Sequence, residues 1–253
     1  VAASASIGCA CCPVIIRTPT EACGIATAPG DPISGILDNV QEAIDQRQEP
    51  AMPASDDPID TIELAPVEGI WERFFTVAPL VLVGTLNDDG SHNLAPKHMA
   101  MPLGHEPYFG FVCTPRHITY GNALSSGVFT VSYPRPRQIV EIGQTATPRT
   151  EEGKSGLAAL RTVPARSVDG VLVAGAAVFL ECEVQQIVEP FGENGLIVGR
   201  VVAAAADARV VRDPDHDDAE LLRGEPLLAY VSPGRIAEIA GSHAFPFPAG
   251  FTW

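Results

Sequence analysis

Residues Pro79–Pro134 read PLVLVGTLNDDGSHNLAPKHMAMPLGHEPYFGFVCTPRHITYGNALSSGVFTVSYP, and the alternation of apolar runs and turns in this stretch decides the fold. Pro79–Leu86 reads as an apolar strand closed by Asn87-Asp88-Asp89-Gly90. Asp-Gly marks a tight turn because glycine tolerates positive φ. A second strand starts near Ser91 and carries Asn93-Leu94-Ala95-Pro96-Lys97-His98, polar groups beside a proline that cannot donate to a ladder. Tyr108–Cys113 is a third strand, Ile118 to about Leu124 a helix, and Val128–Tyr133 a fourth strand that ends at Pro134 and Pro136.

Thr114, Arg116, His117 and Thr119 cluster where the third strand gives way to the helix. Free backbone N–H groups and the helix dipole favour an anion at such a place. Lys97 and His98, from another strand end, offer a second wall. By spacing alone the same residues read first as an ordinary helix start with solvated charges, and phosphate binding is the alternative.

The order of three motifs adds to this. Asn93-Leu94-Ala95-Pro96, then Thr114-Pro115-Arg116-His117-x-Thr119-Tyr120-x-Asn122, then Gly127-x-Phe129-Thr130-Val131 resembles the flavin reductase-like family of FMN-binding split barrels. Phe191-Gly192-Glu193-Asn194-Gly195, running on to Val202, is similar to the family's late hairpin, and Pro226–Tyr230 followed by Pro233-Gly234-Arg235 to its closing segment. The likeness runs from about Ile62 to Phe251. Where many members have a hydroxyl residue after Ala-Pro, Lys97 and His98 stand here; a cation serves a phosphate as a hydroxyl does.

The resemblance implies a mainly β fold with flanking helices, a split β-barrel preceded by an N-terminal extension. It implies FMN, in preference to FAD, as cofactor and NAD(P)H as a transient co-substrate. Lys97, His98, Thr114, Arg116 and Thr119 fall to the phosphate, Asn93, Ala95 and Asn122 to the ring or ribityl chain, and Pro96 and His117 join them as cofactor-binding residues. The implied activity passes electrons from NAD(P)H through the flavin to free flavin, oxygen or a partner oxygenase. The protein's part is to fix the ring and tune it. A homodimer is implied as well. A non-catalytic FMN carrier or sensor fits the same fold.

Composition sets outer limits. The 253 residues suffice for one well-buried domain with extensions, and 46% hydrophobic residues with a mean hydropathy of +0.15 describe a globular chain. A formal charge of −15 and a pI near 4.7 argue against nucleic acid and anionic membranes as partners. A phosphate must therefore be held by locally placed cations against the overall field. The longest apolar run, Val171–Leu180, is too short to span a bilayer, and no apolar leader precedes Arg17; a cytoplasmic location is expected. The histidines show no His-Glu-x-x-His or similar ligand spacing, so no metal site is expected; the lack of Gly-x-Ser-x-Gly weakens a serine hydrolase, and the lack of Gly-x-Gly-x-x-Gly leaves a Rossmann-bound nicotinamide unsupported.

Cys9, Cys11, Cys12 and Cys23 crowd the N-terminus. Cys-x-Cys-Cys lacks the gap that lets paired thiolates grip one metal, so the four read as incidental, with a zinc or redox module as the competing class. Cys113 and Cys182 lie in apolar runs and read as buried thiols. Residues 1–60 are rich in proline and read as an extension, apart from a short helix capped by Ser34; residues 61–253 form the domain. Within it, a helix over Val67–Phe75 should bury Ile70, Trp71 and Phe74, and another should run from Ile139 to Thr147. Arg149 and Lys154 fall in a polar loop near the implied substrate face, and Leu157–Leu160 suggests a further short helix. Ala177–Val188 and Leu196–Ala206 form a long hairpin turning at Gly192–Gly195. Asp213–Asp218 reads as the acidic start of a helix ending near Arg223.

Overall fold

A computed structural model describes residues 61–146, 157 and 160–248. The compact unit Ile59–Ala244 contains every regular element named below. In its first part are β1 (Thr76–Pro79), β2 (Val81–Leu86), β3 (His92–Lys97), β4 (Ala100–Pro102), β5 (Tyr108–Cys113), α1 (Ile118–Ser126), β6 (Val128–Tyr133) and α2 (Ile139–Thr145). There follow β7 (Thr162–Pro164), β8 (Val171–Val173), β9 (Val178–Phe191), β10 (Asn194–Ala206), α3 (Asp218–Gly224), β11 (Leu227–Ser232) and β12 (Arg235–Ile239).

Seven strands form one antiparallel sheet in the order β3-β2-β6-β9-β10-β5-β4. β1, β11 and β12 make a second, three-stranded sheet, and β7 pairs with β8. The large sheet curls. Val81 and Val83 of β2, Phe129 and Val131 of β6, Ile197 of β10, Phe109 and Phe111 of β5 and Ala100 of β4 all meet in one buried cluster, although they come from strands on opposite sides of the sheet. Gly199 of β10 makes room inside it: a Cβ there would lie 2.5 Å from the Phe129 ring.

The outer face of β2 and β6 is buried too. Leu82 and Leu94 join Ile142 of α2, Val171 and Val173 of β8 and Leu228 of β11 in a second cluster. Burial on both faces is why β2 reads as a continuous apolar run instead of alternating. β8 is also fastened by hydrogen bonds: Thr130 Oγ1 donates to the Val171 carbonyl at 2.6 Å, and Val173 N–H donates to Ser132 Oγ at 3.0 Å. Gly84 lets it approach, since a Cβ at that position would stand 2.3 Å from Thr130 Oγ1 and 2.8 Å from the Val171 carbonyl oxygen. The loop before β8 is held by the buried Glu181, whose carboxylate accepts from the N–H groups of Arg166, Ser167 and Val168.

A buried arginine ties the C-terminal part to the sheet. Arg135, just after β6, pairs with Asp207 at 3.0 Å and with Glu225, and its Nε donates to the Gly175 carbonyl. Arg209 bridges the same two carboxylates from outside.

The expected helix over Val67–Phe75 is a single 3-10 turn, Ile70–Glu72. Gly69 takes φ +83° and stops any helix begun at Val67. Trp71 and Phe74 are 64% and 40% exposed, not buried. β5 and β6 occupy the expected residues, whereas α2 ends at Thr145 and β4, β7 and β8 are additional short strands. The long hairpin turns at Phe191–Asn194, and β10 begins two residues earlier than expected. α3 has the acidic start expected of it: Asp217 caps the Ala219 N–H at 2.7 Å. Cys113 and Cys182 are buried, and burial pushes the Cys182 thiol up to about 12. The N-terminal extension with its four cysteines, Arg149, Lys154 and residues 158 and 159 of the expected Leu157–Leu160 helix lie outside the described residues.

Candidate functional site

β3, the β5–α1 loop and α1 converge at one end of the curled sheet. β3 is an edge strand, which accommodates Pro96 opposite Leu82. Its residues Asn93, Ala95 and Lys97 share one face, because side chains alternate along a strand. Asn93 faces α1 and donates from Nδ2 to Thr119 Oγ1 at 3.1 Å. Asn122, one turn further along the helix, donates from Nδ2 to Thr85 Oγ1 at 3.1 Å and to Asn87 Oδ1 at 2.8 Å. Asn93, Thr119 and Asn122 are all buried. The family resemblance assigns these three to the ligand; in the structure their side chains form a network that joins α1 to β2 and β3.

The cationic wall lies at the far end of β3. Lys97 is half-buried and its Nζ donates to Cys113 Sγ at 3.3 Å; His117 Nδ1 lies 4.0 Å from the same sulfur. Burial raises the Cys113 thiol above its ordinary value, with Lys97 opposing the rise. Thr114, next in the chain, has a buried Oγ1 with no hydrogen-bond partner among the described residues. His117 is the N-cap of α1 in extended conformation, and no side chain caps the helix there. Arg116 points outward: it is 73% exposed and paired with Glu193 in the β9–β10 turn.

His98 leaves this wall. Its ring stacks on Tyr230 of β11 with centroids 4.2 Å apart, joining the large sheet to the three-stranded one. Burial, helped by Lys97, lowers its pKa below the usual histidine value. Ala95 and Pro96 are half-buried within β3. Sequence reasoning missed Thr85, Asn87, Glu193 and Tyr230, each of which reaches the site from another strand or turn.

The model of the flavin reductase like domain matches residues 74–232 of the chain. This chain belongs to that family. The flavin reductase-like fold recurs among solved structures. Component B of nitrilotriacetate monooxygenase from Bacillus cereus superposes with a TM-score of 0.64 at 17% identity, covering 74% of this chain and 99% of that one. A Shewanella frigidimarina protein described as a flavin reductase with a split barrel domain gives a TM-score of 0.61 at 16% identity, covering 68% and 87%. An FMN-binding protein from Thermus thermophilus gives 0.59 at 20% identity, covering 73% and 98%. The curled sheet is thus a split β-barrel.

The donor set suits a flavin phosphate. Thr114 offers an unengaged hydroxyl, Lys97 and Arg116 offer cations, and the uncapped start of α1 offers backbone N–H groups. No helix among the described residues is long and apolar enough to cross a membrane.

Proposed function

We propose that this flavin reductase-like chain binds FMN and passes electrons from NAD(P)H to free flavin, oxygen or a partner oxygenase. The observation that carries the reading is the buried, unpartnered Thr114 hydroxyl beside the uncapped start of α1, with Lys97 and Arg116 flanking the same loop. Bound FMN would supply the hydride acceptor and the electron donor. Lys97, Thr114, Arg116 and His117 would hold its phosphate, and Ala95 and Pro96 would border the ring on β3. Asn93, Thr119 and Asn122 act one step back, by fixing the loop and α1 against the sheet. A half-buried lysine holds its charge near the anion with less screening than a surface one. The reading includes a homodimer, as the family resemblance implies, and a cytoplasmic location.

The test has two steps. The purified protein, mixed with FMN, should show flavin absorbance that comigrates with it; stopped-flow mixing with NADH or NADPH should then bleach those bands. Bleaching with neither nucleotide overturns the reductase and leaves an FMN carrier. No retained or titratable flavin overturns both.

A further inference from the structure

Glu193 sits where the sheet folds back on the phosphate loop. Gly195 pairs with Cys113 in the β5–β10 ladder, so the β9–β10 turn lies beside the loop that follows Cys113. That register brings the Glu193 carboxylate onto Nη2 of Arg116, 77 residues away in sequence. Arg116 is the cation placed furthest out on the loop, and Glu193 is its partner.

We propose that Glu193 acts as a built-in counter-anion that competes with the flavin phosphate for Arg116 and so sets FMN affinity low enough for exchange. The proposal rests on the assignment of Arg116 to the phosphate. Three observations favour competition over a positioning role. Both side chains are more than 70% exposed, at 73% and 72%, so the pair confers little rigidity on the guanidinium. A carboxylate and a phosphate sharing one guanidinium repel each other at a separation of a few ångströms. The chain already carries a formal charge of −15, so one more anion at the loop opposes binding rather than helping it. Without ligand, Glu193 neutralises Arg116; a phosphate, with more charge and more acceptor oxygens, displaces it.

The decisive experiment titrates FMN and riboflavin, by flavin fluorescence, into the full chain, Glu193→Gln, Arg116→Ala and the double variant. Glu193→Gln should tighten FMN by about two- to fivefold, the scale of an exposed ion pair, and leave riboflavin unchanged. The gain should vanish in the Arg116→Ala background. Weaker FMN binding by Glu193→Gln, or no change in it while Arg116→Ala weakens FMN, overturns the competition and leaves the phosphate assignment standing. If Arg116→Ala leaves FMN unchanged, Arg116 is not a phosphate ligand and both fall. Circular dichroism of each variant confirms the fold, which two exposed side chains should not disturb.

Discussion

Asn93 on β3 donates to the hydroxyl of Thr119 on α1 across 3.1 Å, although the two residues are 26 apart in the chain. Together with the bonds from Asn122 to Thr85 and Asn87, it makes the buried end of α1 a polar clamp. Each of these groups lies out of reach of water, so each must find its partner inside the protein. The clamp therefore fixes where the N-terminus of α1 points, and with it the direction of the backbone N–H groups offered to an anion.

Asn122→Ala tests the clamp. Removing the amide leaves the Asn87 Oδ1 acceptor without that donor in a buried setting, at a cost of about 1–3 kcal/mol. Urea unfolding should show that loss in the midpoint, with FMN and riboflavin affinities of the folded protein moving together if they move at all. Loss of FMN affinity at unchanged stability would make Asn122 a direct ligand contact and overturn the clamp.

Gly84→Ala tests the seat of β8. The new methyl would meet Thr130 Oγ1 and the Val171 carbonyl well inside contact distance, and overpacking of this kind costs about 1–3 kcal/mol. Thr130→Ala removes one of the two obstacles while losing its own bond to Val171. The double variant should therefore be less destabilised than the sum of the singles. Additive losses in urea midpoints would show that the crowding is relieved elsewhere.

Tyr108–Cys113 and Val128–Tyr133 were legible in the sequence with their final bounds, because each is a compact apolar run between turn or helix signals. β4, β7 and β8 were not, since three residues carry no periodicity and their pairing is decided by partners elsewhere in the chain. Trp71 illustrates the opposite failure: its spacing with Ile70 and Phe74 suggests a buried helical face, but left-handed Gly69 breaks off any helix begun at Val67, and only the turn Ile70–Glu72 follows, with Trp71 exposed. At the site, the loop residues were visible as a cluster, whereas the side-chain bonds that orient them were not. The orientation of Asn93 and Asn122 depends on Thr85 and Thr119 across the sheet–helix junction, and the pairing of Arg116 with Glu193 on the β5–β10 register. Neither relation is local.

His98 gives a pH-dependent prediction. Burial against Tyr230, with Lys97 beside it, lowers its pKa below the ordinary 6.5. The unfolded chain then takes up the proton first as the pH falls, so the contribution of the neutral stacked ring is complete above about pH 6.5 and is lost as the pH drops toward the folded value. Urea midpoints measured from about pH 7.5 down to about pH 5 should decline less steeply in His98→Phe, which keeps the stack and cannot be protonated. Parallel declines in wild type and variant would show that other groups carry the acid sensitivity.

Lys97 and Arg116 should differ in how salt affects them. Lys97 is half-buried against Cys113, whereas Arg116 stands in solvent with Glu193. If both reach the flavin phosphate, Lys97→Met and Arg116→Ala each weaken FMN, by roughly tenfold for a charge-assisted hydrogen bond, and neither alters riboflavin, which has no phosphate. Mobile ions screen exposed charges over about 10 Å at 0.1 M salt and much more closely at 1 M, while partly buried charges are screened less. Raising salt should therefore erase most of the difference between wild type and Arg116→Ala and little of that between wild type and Lys97→Met. Calorimetric FMN titrations at low and high salt measure both. If the Lys97 effect disappears with salt as well, the lysine acts from solvent, and its contact with Cys113 is not what holds it near the phosphate. If Lys97→Met weakens FMN and riboflavin equally, the lysine supports β3 or the ring, and the phosphate is held by the β5–α1 loop alone.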